Sequence, residues 1–256
     1  MSIIKGGAAG FNSVVFYSES FSSKATRRSD GRINVEVSRR KLAPEYERFI
    51  RRIPLLRGLF IFIQSIFTFW KVYLTTCSLL IFVLLLSRKA SNGIVDNPSL
   101  SNITNFLNVA QDYFLLLLAA IIVIFAVIIK FSNLGKYHAA EHMTDSSFDS
   151  LKSFSISKIA KQSRIHKNCG TNLVVFLFVI YSILSFFISN FYVLIMLTMC
   201  LAYEIFLIES RLLLPFYWIG GIFQYFFFTS EPSNKHLEVA VAAYKALLIE
   251  ERILKE

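Results

Sequence analysis

Charged residues are scarce in this chain. They make up 17% of its 256 residues, whereas about a quarter is usual in soluble domains. The shortage is most pronounced in residues 168–203, where 36 consecutive positions contain no Asp, Glu, Lys or Arg. The hydrophobic share is 55% and the mean hydropathy is +0.55. This composition argues against one ordinary soluble domain and favours a membrane protein.

Further absences narrow the function classes. There are only three cysteines, an odd number at wide spacings, so no disulfide framework is predicted. The glycine-rich stretch at residues 6–10 is not followed by a GKS sequence, which excludes a phosphate-binding loop there. The N-terminal residues have no apolar segment of the kind that a cleavable signal peptide needs. The net charge is +10, but basic and aromatic residues do not interleave, so membrane lipid is the predicted partner and nucleic acid is not.

The apolar runs predict a mainly α, polytopic helical membrane protein. Since a spanning helix needs about 20 apolar residues, the runs provide about four transmembrane helices. The predicted spans are residues 67–87, 113–130, 171–188 and 191–208. Two shorter blocks, 54–66 and 212–230, are predicted to be interfacial or re-entrant. Pro215 and the Gly220-Gly221 pair interrupt the second block, which suits a broken element better than a straight span.

Polar segments at both ends complete the predicted domain organisation. Residues 1–53 form a cytoplasmic N-terminal region, in which Asp30-Gly31 predicts a small β-hairpin. Residues 231–256 predict an amphipathic helix, docked on the membrane or on the N-terminal region. Its apolar face consists of Leu237, Val241, Tyr244, Leu248 and Ile249. Twelve Lys and Arg residues fall in residues 1–57 and none in 90–111, which predicts a cell-membrane protein with both termini in the cytoplasm.

Three of the four histidines lie in the polar segment 131–170, within the membrane domain 54–230. His138 and His142 are four residues apart, so on a helix they share one face and can bind the same ion. His166 and Cys169 follow, and the predicted topology returns them to the same side of the membrane. Nitrogen and sulfur donors of this kind suit zinc. The spacing therefore predicts a divalent metal site, with zinc as the favoured ion, whose ligands are His138, His142, His166 and Cys169.

Glu141 completes the pattern His-x-x-Glu-His with His138 and His142. That pattern occurs in one class of zinc metalloproteases. Glu141 is the predicted catalytic residue, acting as a general base on an attacking water, although the roles of third ligand or outer-shell partner stay open. The competing interpretation is a polar helix end, because helix C-termini favour cationic side chains.

The same residues resemble the signature of the YqhQ-like bacterial membrane proteins, a family with a domain of unknown function that is described as a predicted metal-dependent enzyme. The resemblance is carried by the stretches YHAAEHM (137–143), RIHKNCGTN (164–172), RIPLLRGLFIFIQSI (52–66), CLAYEIF (200–206) and TSEPSNKHLEVAVAAYKALL (229–248). It implies metal-site roles for His138, Glu141, His142, His166 and Cys169. It also implies motif positions of unknown role at Arg57, Tyr203, Glu204 and Glu231.

The chain departs from the family pattern at five positions, two of which are Lys167 and Asn168, where the resemblance implies a proline and an arginine. Asn12 and Tyr17 stand where the resemblance implies a glutamate and an arginine, and Met143 stands where it implies a lysine. If the N-terminal acid takes part in chemistry, these departures imply an altered or inactive member. The expected metal donors are all present.

Three functions are consistent with these patterns. The first is a zinc-type metalloenzyme of the inner membrane that catalyses a hydrolysis. Its site would lie at the cytoplasmic interface, and its substrate would be a peptide or a lipid. The second is a scaffold or regulator with a structural metal, since four protein ligands would close a tetrahedral site. The third is a channel or transporter, with Lys71 and Glu204 as intramembrane charges. The sequence predicts neither the reaction nor the oligomeric state.

Overall fold

The computed structural model describes residues 4–41, 43–68, 70–71, 74–75, 78, 123–124, 126–208 and 210–253. These residues belong to two compact units. The first consists of Met1–Pro44, Ile121–Phe176 and Glu209–Glu256, and the second of Glu45–Ala120 and Leu177–Ile208. The predicted spans 67–87 and 113–130 lie largely outside the described residues.

The strands are β1 (Gly6–Ala9), β2 (Ser13–Tyr17), β3 (Phe21–Arg27) and β4 (Ile33–Arg39). The helices are α1 (Glu45–Ile50), α2 (Leu56–Thr68), α3 (Asn133–Leu151), α4 (Ile156–Ile159), α5 (Gly170–Leu184), α6 (Phe191–Leu207), α7 (Leu214–Phe223) and α8 (Asn234–Ile253). A 3₁₀ turn, Arg211–Leu213, precedes α7, and a π-helical turn, Gln224–Phe228, follows it.

An antiparallel sheet with the order β1-β2-β3-β4 is the centre of the first unit. The predicted hairpin is present between β3 and β4, and Gly31 in its turn has a φ of 85°, a conformation that glycine adopts without steric cost. The strands β1 and β2 add a second pair that the sequence did not predict. Each strand therefore pairs with its neighbour in the chain, and β1 and β4 are the two edges.

One face of the sheet is covered by helices. Val14, Phe16 and Ala25 alternate along β2 and β3 and are fully buried, as the two-residue period of a strand requires. Helix α8 packs against them, with the Tyr244 ring edge-on to Phe16 at a centroid distance of 4.9 Å. Helix α3 packs beside α8 and reaches β1 and β2. This arrangement places α3 beneath the edge of the sheet that β1 forms.

The predicted fold class is wrong. The chain is a mixed α/β protein with a four-stranded antiparallel sheet, not a mainly α bundle of spanning helices. The apolar run 168–203 divides into α5 and α6, which have 15 and 17 residues. A helix rises about 1.5 Å per residue, so neither reaches the ~30 Å of a bilayer core.

No single helix among the described residues is both long enough and apolar enough to cross a membrane. Two consecutive helical segments, Phe191–Leu207 and Arg211–Phe228, meet the requirements of length and composition only when taken together, as a bent pair. The predicted localisation of the chain is not decided by this finding and stays a prediction.

In the second unit, an ion pair joins α2 and α6. Arg57 Nε donates to Glu204 Oε1 over 2.8 Å, and a second guanidinium nitrogen contacts the other carboxylate oxygen. The backbone N–H of Leu55 also donates to Glu204 Oε1, over 2.9 Å. Leu55 has a φ of 69°, which costs about 1–2 kcal/mol for a residue with a side chain. Glu204 therefore binds Arg57 and also holds the strained turn at Leu55. These contacts give Arg57 and Glu204, two of the motif positions, a structural role.

We expect Glu204→Gln to lower the free energy of unfolding by roughly 1–2 kcal/mol, because charge-assisted hydrogen bonds are lost at a partly buried site. Urea unfolding of the purified chain measures the change. Glu45→Gln is the matched control, since its ion pair with Arg48 is exposed and long, at 3.8 Å, and such pairs contribute little. Equal effects of the two changes would contradict a structural role for Glu204.

Candidate metal centre

Helix α3 carries most of the candidate site. Its N-terminus is capped by the hydroxyl of Ser132, which accepts from the N–H of Leu134. His138, Glu141 and His142 project from its buried side, and the two imidazole rings lie 4.4 Å apart between centroids. The four-residue spacing thus produces the shared face that the sequence predicts.

Cys169 approaches this pair from the turn that precedes α5. Its Sγ lies 3.5 Å from Nε2 of His138. One ligand atom from each of His138, His142 and Cys169 falls within 4.8 Å of the other two, an arrangement that could hold a metal ion. His142 and Cys169 are only 3% and 7% exposed, so these donors lie in an environment with little competing water.

Both histidines are oriented by backbone carbonyl groups. His138 Nδ1 lies 2.9 Å from the carbonyl oxygen of Phe228, and His142 Nδ1 lies 2.8 Å from that of Arg164. A carbonyl can only accept, so Nδ1 carries the proton in each ring and Nε2 keeps its lone pair. Carbonyl acceptors of this kind fix the tautomer of metal-ligating histidines. Two oriented imidazoles and a thiol therefore form a donor set that could hold a metal ion.

His166, the fourth predicted ligand, is not in this donor set. Its Nε2 lies 3.4 Å from a carboxylate oxygen of Asp145, and its ring is 5.5 Å from that of His142 between centroids. Burial, together with the nearby His142, lowers the pKa of His166 to about 4. His166 is consequently neutral at pH 7 and pairs with Asp145, a residue for which the sequence gave no signal.

Burial raises the pKa of two carboxyl groups on α3. That of Glu141 rises to about 7, since desolvation and the charge of Asp145 outweigh the opposing effect of His138. That of Asp145 rises to about 6, through desolvation and the charge of Asp149. Glu141 Oε2 is 3.5 Å from Nε2 of His142. The predicted catalytic carboxyl therefore lies directly beside the three donors, with a pKa near neutrality.

On balance, the surroundings of the Cys169 thiol lower its pKa. Its burial raises the pKa, but the neighbouring His142 and the hydroxyl of Thr171 more than offset that effect, so the pKa lies below its usual value. The thiolate is the form that binds metals. A lowered pKa thus supports Cys169 as a ligand.

A buried amide pair holds the turn that presents His166 and Cys169. Asn172 donates to the carbonyls of His166 and Lys167, the latter over 2.6 Å. The side-chain oxygen of Gln224 accepts from the N–H of His166 over 2.8 Å, and its nitrogen donates to Asn172 over 3.3 Å. Asn172 is 2% exposed and Gln224 is fully buried. The sequence offered no signal for Gln224, because a single polar residue in the block 212–230 looks like an interruption of an apolar element.

The cavity beside the donors has a volume of about 390 Å³. One wall is helix α3 with the turn at residues 166–170, and the other is the N-terminal segment 4–9, which includes β1. At Gly7 a Cβ would overlap the carboxylate of Glu141, so only glycine allows this close approach of strand to acid. Within the glycine-rich stretch at residues 6–10, Gly7 is therefore a position of close approach.

One family model matches the chain. It carries the description "Protein of unknown function (DUF1385)" and covers residues 65–250, which is more than half of the chain. No significant match was found among curated proteins or among solved structures. The matched range contains His138, Glu141, His142 and Cys169 but not β1.

Proposed function

Because the chain belongs to the family described as "Protein of unknown function (DUF1385)", whose description brings no activity with it, we propose its function from the cavity itself. The protein is a divalent-metal-dependent hydrolase. His138, His142 and Cys169 hold the ion, and Glu141 is the general base. Zinc as the ion and a YqhQ-like identity within the family are parts of this proposal.

One observation carries the proposal: three donors converge, and the fourth predicted ligand pairs elsewhere. Catalytic zinc sites use three protein ligands and keep one position for water or substrate, whereas structural sites use four. The set made by His138, His142 and Cys169 has the catalytic number, and His166, whose Nε2 lies 3.4 Å from Asp145, is not part of it. The cavity of about 390 Å³ beside it has the size of a small ligand pocket.

Glu141 suits the role of general base by its place and its acidity. Its carboxylate lies at the donor cluster, and its pKa of about 7 is near the value at which proton transfer is most effective in neutral solution. A proton accepted at its Oε2 would come from the water that attacks a carbonyl or phosphoryl group. A bound divalent ion supplies charge stabilisation for such a reaction. Gly7 leaves room for this carboxylate at the wall of the cavity, because a Cβ there would overlap Oε1 of Glu141.

A structural metal is the second candidate function. Cys169 and the two histidines come from different segments, and a buried ion would tie the turn at residues 166–170 to α3. The protein would then be a scaffold or regulator, and Glu141 would be dispensable. The placement of the site at a membrane interface stays a prediction in either case.

Metal loading tests the site. We expect the purified chain to bind about one Zn²⁺, and His142→Ala to lower the affinity at least ~100-fold, because one of three ligands is lost. His166→Ala is the matched control, and it should keep wild-type affinity since His166 is not a donor. Dialysis against Zn²⁺ followed by elemental analysis measures both.

Two results would contradict the site. Failure of the wild type to bind Zn²⁺, Co²⁺ or Mn²⁺ would remove the basis for any metal-dependent function. Equal losses in His142→Ala and His166→Ala would indicate four ligands and a closed, structural site.

A further inference from the structure

We propose that the substrate is an extended polypeptide whose main chain pairs with the open edge of β1. This inference rests on the proposed function, and it adds the substrate class and the surface that binds it. It is carried by the hydrogen-bond pattern of the sheet, by the side chains of β1 and by the position of β1 in the cavity.

The hydrogen bonds of the sheet show which groups of β1 point outward. The N–H of Arg27 donates to the carbonyl of Asn12 over 2.9 Å, and the N–H of Gly10 donates to the carbonyl of Ser13 over 2.8 Å. In an antiparallel pair, hydrogen-bonded and non-hydrogen-bonded positions alternate. Gly10, Ala8 and Gly6 therefore bond to β2. The N–H and C=O of Gly7 and Ala9 point to the free edge, and no described residue pairs with them.

This edge lacks the devices that normally protect edge strands. Proteins block exposed edges with charged side chains, proline or bulky cover, whereas β1 has the sequence Gly-Gly-Ala-Ala and Gly6, Gly7 and Ala8 are exposed. The charged residue that precedes β1 in the chain, Lys5, is paired with Glu19 at 3.2 Å. An unprotected row of donors and acceptors is the feature that a second extended chain recognises.

The edge also faces the candidate site. Residues 4–9 and the donor cluster line the same cavity, and the Cβ direction of Gly7 leads to the carboxylate of Glu141. A strand added to β1 would run about 4.8 Å from it. We infer that its peptide groups would enter the cavity that Glu141 and the three donors also line.

The free edge favours a peptide over a phosphate ester. The cavity is lined by the acidic side chains of Glu141, Asp145 and Asp149 and by the basic side chains of Lys5 and Lys167, so the selection comes from the backbone groups of β1 and not from charge. Alternating N–H and C=O groups match the alternating groups of a peptide backbone. Specificity would then come from main-chain pairing more than from any one side chain.

The test uses the full chain loaded with Zn²⁺ and a casein digest as a source of unstructured peptides, with cleavage followed by mass spectrometry. We expect peptide cleavage, and we expect Ala9→Pro to lower kcat/KM about five- to tenfold, because the outward N–H is lost and one net hydrogen bond is worth about that factor. Val35→Pro is the matched control on the other edge strand. The same alternation directs its N–H outward from β4, so it should change cleavage less than twofold.

A measurement that leaves the protein unaltered complements the variants. Two sets of peptides are needed, one N-methylated at the odd residues and the other at the even residues. The set whose methylated nitrogens face β1 cannot donate hydrogen bonds to the edge, and it should be cleaved at least about tenfold more slowly than the unmethylated peptides. If peptides are cleaved but neither Ala9→Pro nor N-methylation has an effect, the pairing with β1 is wrong.

Small probes separate failure of this inference from failure of the proposed function. Hydrolysis of p-nitrophenyl acetate or bis(p-nitrophenyl) phosphate that depends on Zn²⁺ and Glu141, with no cleavage of any peptide, would overturn the polypeptide substrate and leave the hydrolase standing. If no probe is hydrolysed with Zn²⁺, Co²⁺ or Mn²⁺ bound, the proposed function fails and the inference fails with it.

Discussion

Replacing Glu141 by glutamine is expected to lower hydrolysis by a factor of about 10²–10⁴, the usual contribution of a general base, while the bound metal stays at its wild-type level. Glutamine has nearly the same shape as glutamate but cannot accept the proton. Because the metal is held by His138, His142 and Cys169, the donor set is untouched. Turnover of the casein digest and elemental analysis on the same preparation measure the two effects.

Asp149→Asn is the control for this change. Asp149 also lines the cavity, but it is exposed and lies away from the donor cluster, so its replacement should alter turnover far less. If Glu141→Gln keeps full activity, Glu141 is not the base. If it loses metal together with activity, Glu141 is a ligand and the site has four protein donors.

The same variant has a signature in stability. The pKa of Glu141 is raised from 4.5 to about 7 in the folded chain, so folding is favoured when the carboxyl is protonated and becomes less favourable as the pH rises from about 4.5 to 7. Glutamine removes this penalty. Without metal, Glu141→Gln should therefore unfold at higher urea than the wild type above pH 7, and at nearly the same urea below pH 4.5.

Replacing Gly220 by alanine is expected to lower the free energy of unfolding by about 2–4 kcal/mol, through overpacking and broken buried hydrogen bonds. A Cβ at Gly220 would overlap the side-chain oxygen of Asn172. Asn172 is buried and fixes the carbonyls of His166 and Lys167, so it cannot move without releasing that turn. Urea unfolding measures the loss, and metal titration should show weaker Zn²⁺ binding because Cys169 lies in the same turn.

Gly170→Ala is the matched control for Gly220→Ala. A Cβ at Gly170 would meet no atom within 4 Å, so this change should cost less than about 1 kcal/mol. If Gly220→Ala weakens Zn²⁺ binding without lowering the free energy of unfolding, displacement of Asn172 is not the cause, because that displacement should produce both effects.

The parts of the site that follow from local spacing could be predicted from the sequence. A separation of four residues on a helix is enough to bring His138 and His142 together. The hairpin at Asp30-Gly31 follows equally from local turn chemistry. The apolar face of α8 was correct for four residues, but Ile249 is 58% exposed. Local periodicity thus predicts where a helix or a hairpin lies and which of its faces is apolar. It does not predict which other element packs against that face.

The rest depends on contacts between distant segments. His166 has a plausible spacing, yet the donor group contains only His138, His142 and Cys169, and Nε2 of His166 lies 3.4 Å from Asp145. Strand β1 consists of glycine and alanine, which have low strand propensity, so its pairing with β2 is visible only in three dimensions. The fold class was wrong for a related reason. The division of the run 168–203 into two helices was predicted and is present, but hydropathy does not show that the N-terminal segments pair into a four-stranded sheet.

The cover of the sheet has a consequence for the order of folding. Strands β1 to β4 pair with their neighbours in sequence and can form early, because such contacts close short loops. The helix that buries Phe16, however, is residues 234–253, more than 200 positions later. During synthesis the apolar face of the sheet is therefore exposed until α8 has emerged. A chain interrupted before α8 would carry that face uncovered, together with the open edge of β1, and so be prone to aggregate.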